Sequence, residues 1–393
     1  MIESIVFKEA PKRLLSIDAI RALTMLLMIF VNDLAGVKGI PGWIDHAKRT
    51  EDAMGFADTI FPTFLFIVGL SIPLALDRKI QKGNSRQSVL FAIISRSFAL
   101  IVMGFFHVNL EEYGKASILP GSIWEILITV AFFLIWLDYP STFNNVKKYF
   151  LIGGGWLILL LMAFLYVGRE GNSMEPSWWG ILGLIGWGYL VCALIYFFAK
   201  GKMPAMIIAF MAFAAINILD HGNWLHMHLW VIKDGSTEFS IIAGVIVSLW
   251  YARMVKKGFN AALWLQLFIA GCASIAVGFL VRPYTDGISK IRATPAWILI
   301  CIGISILVFE LMIYLVDYKH KKNWFKLIWP AGTATLTCYL IPYFQDGFYK
   351  LFHFQYPRLL NYGWGGFLRS WVVAFIVVII GGFLEKKKLK LKV

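Results

Sequence analysis

Asp18 and Arg21 stand three residues apart in an otherwise apolar stretch, so a helix would carry them on one face. Ionisable groups in such a stretch are costly and point to function by default. Two readings stay open: an ion pair that snorkels to the interface and anchors the helix, or a site for a cytosolic ligand. Arg96 has the same choice, as a partner of Glu125 or of backbone carbonyls, or as a guanidinium offered with Arg21 to phosphate. Asn32 and Asp33 end the first apolar stretch, and a loop runs through Gly39, Pro41 and Trp43 to His46. Asp58 and the run Phe61-Pro62-Thr63-Phe64-Leu65-Phe66 follow. An imidazole set among Asn, Asp and Trp can serve as base or acyl carrier, although a lone loop histidine is more often a solvated bystander. Later come Asp220, His221, His226 and His228, with Glu238 beyond. His-X-His lacks a third ligand at a recognised spacing, which favours a hydrogen-bonded or substrate-facing cluster, and no metal is expected.

The elements that must position these groups are membrane helices. The chain has 393 residues, 59% hydrophobic and 15% charged, well outside the balance of soluble domains. Its apolar residues fall in blocks long enough to cross hydrocarbon. They predict spans at 14–36, 56–76, 88–108, 119–138, 149–167, 179–199, 203–219, 237–255, 260–281, 294–316, 327–344 and 364–384. The fold class is therefore an all-α polytopic integral membrane protein of about twelve helices, with residues 1–393 forming one domain. The net charge of +14 is scattered in short clusters between blocks, so nucleic acid is not the expected partner and membrane lipids are. Basic residues favour the side of the N-terminus by roughly two to one, which predicts cytoplasmic N and C termini. On that count Asp18, Arg21 and Arg96 face the cytosol, and Asn32, His46 and the 220–236 loop face outward. Cys192, Cys272, Cys301 and Cys338 all lie in apolar blocks and read as packing residues. No cleavable signal peptide is expected, and the chain carries no Walker loop, dinucleotide fingerprint or nucleophile elbow. Residues 330–345 combine glycine and threonine in a way that suits close helix packing or a polar cavity lining.

The ordered set Arg13, Ser16, Asp18, Arg21, Asn32, His46, Asp58, Phe61-Pro62, Phe64, Phe66 and Gly69 resembles the start of the heparan-alpha-glucosaminide N-acetyltransferase family of transmembrane acyltransferases. The likeness is strongest over 13–125, within the motif-bearing first helices of 13–138, is weak between, and returns in 330–345. It implies that acetyl-CoA donates from the cytosol to the amine of a glucosamine-type amino sugar outside. The family's active histidine maps to His46 and its companion asparagine to Asn32. The CoA phosphates would fall to Arg21, Arg96, Arg78 and Lys79, with Asp18 beside them. The sugar would meet Asp33, Asp58, Glu238, His226 and His228. The chain departs from the family at Glu125, where relatives carry a basic residue, and in a longer spacing from Asn32 to His46. Shorter bacterial proteins of this type are similar as well. They imply a bacterial inner-membrane location, leave a homodimer open, and offer an alternative: uptake of amino sugars or cell-wall sugars on the same scaffold.

Overall fold

The computed structural model describes residues 14–222, 224 and 230–392. His226 and His228 lie outside the described residues. Thirteen α-helices follow one another: α1 (Leu15–Leu34), α2 (Ala57–Gln81), α3 (Arg86–Glu111), α4 (Gly121–Trp136), α5 (Asn145–Phe164), α6 (Gly180–Phe198), α7 (Met203–His221), α8 (Ser236–Val255), α9 (Ala261–Val281), α10 (Pro295–Met312), α11 (Trp329–Thr333), α12 (Thr335–Leu351) and α13 (Gly363–Lys386). Isolated bridges are the only β pairing among the described residues. Among the described residues, ten helices are long and apolar enough to cross a membrane. This is an all-α polytopic membrane protein.

All twelve predicted spans are helical, with two departures. The fourth, α4, has only 16 residues. The eleventh was expected to be one helix over 327–344 and is two. Ala334 leaves helical geometry at φ −122° and ψ 41°, which separates the five-residue α11 from α12. Broken helices expose backbone polar groups, and inside a bundle those groups line a cavity or bind a partner. Here the Gly332 carbonyl lies within 3.5 Å of an Arg21 nitrogen.

Helices α1, α2, α8 and α10 bury most of their surface, whereas α5 and α9 bury little and turn large side chains such as Phe150, Phe164, Phe268 and Leu280 outward. Such an apolar rim is what lipid requires. The centre is held by close backbone approach. A β-carbon on Gly69 of α2 would stand 1.9 Å from the Ile241 carbonyl oxygen, and one on Gly244 of α8 would stand 2.0 Å from that of Phe66. Small residues allow such contact where lipid supplies no hydrophobic drive for association. At the start of α1 the N-cap residue, Leu14, offers no capping side chain. Asp317 at the far end of α10's π-helical extension accepts from the Ser16 backbone N–H at 3.3 Å instead, the favourable sign of charge for a helix N-terminus.

Helices α1 and α3 begin, and α2 and α13 end, at one end of the bundle, here called proximal; Leu14 and Leu391 both line a cavity there. The opposite end is distal. Gly244→Leu should overpack the α2–α8 contact and cost about 1–3 kcal/mol or more. A thermal midpoint in detergent equal to that of the unaltered protein would show that this contact does not hold the bundle.

Candidate active site

The His46 loop is fixed by one carboxylate. Asp58, in the first turn of α2, is 1% exposed. Its Oδ1 lies 2.6 Å from His46 Nδ1, and its Oδ2 accepts from the backbone N–H groups of Ala47 and Gly55, both at 3.0 Å. Gly55 is required by the fold of this loop, because a β-carbon there would lie 1.8 Å from the Asp45 carbonyl oxygen. Asp45 in turn accepts from the His46 backbone N–H through its Oδ1 at 2.8 Å. With Nδ1 committed to Asp58, the ring's Nε2 is the nitrogen left for chemistry, as in any carboxylate-oriented imidazole base.

A third group joins this pair. Lys290 Nζ lies 3.2 Å from His46 Nδ1 and 3.8 Å from Asp58 Oδ1. Lys290 belongs to the loop before α10, and Asp52 clamps that loop to the His46 loop. Asp52 accepts from the Ile288 N–H at 2.6 Å and from Arg282 Nε at 3.0 Å. Burial raises the Asp52 pKa, but those two donors outweigh it and hold the carboxyl below its usual value. Burial pushes the Lys290 ammonium below its usual pKa, with the Asp58 carboxylate pulling partly the other way. Sequence reasoning missed Lys290. The available signal was Arg282, Lys290 and Arg292 together in a loop assigned to the side that should be poor in basic residues.

His46 and Lys290 open onto a distal cavity of about 660 Å³, with Asn32, Arg49, Trp187 and Glu238 also in its wall. Asn32 makes no side-chain hydrogen bond among the described residues, so its amide is available. Glu238 is 1% exposed, and its Oε2 has no hydrogen-bond partner among the described residues. Asp33 does not join this wall. Arg369 of α13 donates to its carboxylate at 2.8 Å and Ser370 at 2.6 Å, and Arg369 also bonds Asn361 and covers the Tyr356 ring. These bonds make Asp33 a tie between α1 and α13.

The proximal cavity, of about 540 Å³, collects Asp18, Arg21, Arg78 and Arg96. Arg21 is held as a fork, to Asp18 at 3.2 Å and Ser71 Oγ at 2.6 Å. Arg96 lies over the Tyr189 ring at 5.0 Å and makes no ion pair among the described residues. Glu125, expected as its partner, is instead buried near the distal end, where Lys350 reaches it at 3.2 Å. Lys79 is not in the cavity wall but lies within electrostatic reach of Arg96. Excess positive charge in a partly apolar recess suits an anion such as phosphate.

The fold and these two recesses define a polytopic membrane protein with a histidine, backed by a buried aspartate, in one cavity and a cluster of arginines in the other. Residues 13–224, more than half the chain, match the family described as "Domain of unknown function (DUF5009)", and the protein belongs to it. It is also similar in sequence to mammalian proteins named heparan-alpha-glucosaminide N-acetyltransferase. It is 35% identical over 188 residues to the Mus musculus protein of that name, covering 45% of this chain and 25% of the relative. To the Homo sapiens protein it is 38% identical over 99 residues, covering 25% of this chain and 14% of the relative. The chain thus spans a quarter or less of the length of these curated relatives.

The two polar residues at the end of α1 separate by role. Asp33→Ala leaves the Arg369 guanidinium unpaired and should cost about 3 kcal/mol of stability. Asn32→Ala, exposed and unpartnered, should cost under about 0.5 kcal/mol. Equal thermal midpoints for the two variants would overturn this division.

Proposed function

We propose that the protein is a transmembrane acyltransferase that moves an acetyl group from acetyl-CoA to the amine of a glucosamine-type amino sugar. The observation that carries this reading is the pairing of the two cavities. A recess with arginines and a recess with an oriented histidine meet back to back at Met28 of α1, which borders both. The names of the curated relatives support the acetyl group and the amino sugar. The excess of basic residues on the proximal side supports cytosolic entry of the donor there.

In this reading Arg96 and Arg21 pair with the CoA phosphates, with Asp18 orienting Arg21 and with Arg78 and Lys79 adding positive charge. The sugar amine, arriving distally, loses a proton to His46 Nε2 while Asp58 holds Nδ1. The amine nitrogen forms the C–N bond as the thioester C–S bond breaks. Asn32 donates its amide N–H to the carbonyl oxygen as charge develops there. The CoA sulfur leaves and receives the proton from His46, so the products are the amide and free thiol. Glu238 offers an unpaired acceptor to a sugar hydroxyl.

A carrier of amino sugars is the second reading, favoured by the broken α11–α12 segment beside a cavity. Against it, the wall between the cavities is apolar, and a sugar crossing it would shed its hydrogen bonds with water at a cost of several kcal/mol. Purified protein given radiolabelled acetyl-CoA and glucosamine separates the two. Labelled N-acetylated sugar should form, His46→Ala should slow it by about 10²–10⁴-fold, and Arg96→Ala should raise KM for acetyl-CoA with a smaller effect on kcat. Accumulation of unmodified labelled sugar in proteoliposomes, with no acetyl transfer, would sink the enzyme reading. Transfer that survives His46→Ala would sink the site assignment.

A further inference from the structure

Along α1 the residues Asp18, Arg21, Met25, Met28 and Asn32 recur at intervals of three and four, which puts them on one helical face. That face runs from the arginine recess to the histidine recess, and Arg21 lies about 16 Å along the axis from Asn32. Four of the five line one cavity only. Asp18, Arg21 and Met25 line the proximal one, and Asn32 the distal one. Met28 lines both.

The rest of the partition is equally thin. On α2, Phe64 borders the proximal cavity and the next residue, Leu65, the distal one. On α6, Ile185 borders the proximal cavity and Leu184 the distal one. The wall is therefore apolar and about one side chain thick. A nucleotide phosphate cannot enter it without losing its hydration, whereas a short acyl chain can lie against it. Methionine suits such a place, being unbranched and able to repack around a guest.

We infer that Met28 is the specificity-determining residue for the acyl group: its side chain fills the space beyond the methyl of an acetyl thioester and excludes longer acyl chains. This inference rests on the acyltransferase reading above. Longer chains undergo the same exchange. The thioester C–S bond breaks, the amide C–N bond forms, and CoA leaves as the thiol with the proton released by the amine. Shortening residue 28 lengthens the recess in which the acyl chain lies; shortening residue 25 widens the proximal cavity and leaves the partition intact.

The test uses the full chain in detergent or nanodiscs, glucosamine as acceptor, and acetyl-, propionyl- and butyryl-CoA as donors, with CoA binding measured alongside. One methylene more or less in an apolar recess changes selectivity by about 10–200-fold. Met28→Ala should accordingly raise the butyryl-to-acetyl ratio of kcat/KM by at least about tenfold. Met28→Val, a milder change that guards against misfolding of the first variant, should raise the propionyl-to-acetyl ratio. Met25→Ala should leave both ratios where the unaltered protein has them. If the unaltered protein acetylates and neither Met28 variant changes its selectivity, the inference is overturned while the enzyme reading stands. If the unaltered protein transfers none of the three groups, the enzyme reading is overturned, and the inference with it.

Discussion

The arrangement depends on the Asp58 carboxylate. It is withdrawn from solvent at the N-terminal turn of α2, where the helix dipole favours negative charge. Three donors from one loop converge on it, the imidazole of His46 and the backbone N–H groups of Ala47 and Gly55. A buried carboxylate is tolerated only when its lone pairs are met, so the loop has to adopt the path that meets them. That path turns the histidine toward the distal cavity. Lys290 approaches from another loop and adds positive charge beside the same oxygen.

The helices around it are locked by backbone contact more than by side-chain volume. Gly69 and Gly244 bring α2 and α8 together, and Gly104 on α3 would place a β-carbon 2.1 Å from the Gly183 backbone nitrogen of α6. Such contacts hold α2 and α6 in place, and α1, α2 and α6 each line both cavities. The break at Ala334 adds what a continuous helix would withhold, a carbonyl directed at Arg21 and two threonines, Thr333 and Thr335, in the proximal wall. The C-terminal tail completes that wall. Leu391 donates its backbone N–H to Thr337 Oγ1 at 3.0 Å, and the neighbouring Lys390 and Lys392 bond the 136–138 segment through their backbone.

The family match ends at residue 224, and the candidate site does not. Asp18, Arg21, Asn32, His46, Asp58 and Arg96 all fall inside it. Glu238, Lys290, Gly332 and Leu391 come from beyond it, brought in by α8, the loop before α10, α11 and the tail. The matched helices carry the groups that would react, and the later ones close the spaces in which those groups act.

The amino-acid sequence by itself determined the all-helical, membrane-crossing class, since blocks of apolar residues separated by charge and turn formers have no other stable arrangement in lipid. It also singled out Arg21, Arg96, Asn32 and His46, because polar groups in or beside apolar helices are rare enough to notice. It was silent on which of them meet. Asp33 and Asp58 look alike as acids at helix ends, yet one is spent on Arg369 and the other orients His46. Glu125 was matched to the wrong cation because sequence spacing cannot say that Lys350, some 225 residues away, lies closer than Arg96. Lys290 reaches His46 across 244 positions for the same reason. Only the tertiary structure decided these pairings, since they form between helices whose register is set by glycine contacts. Periodicity along a single helix carries no record of a neighbour's position.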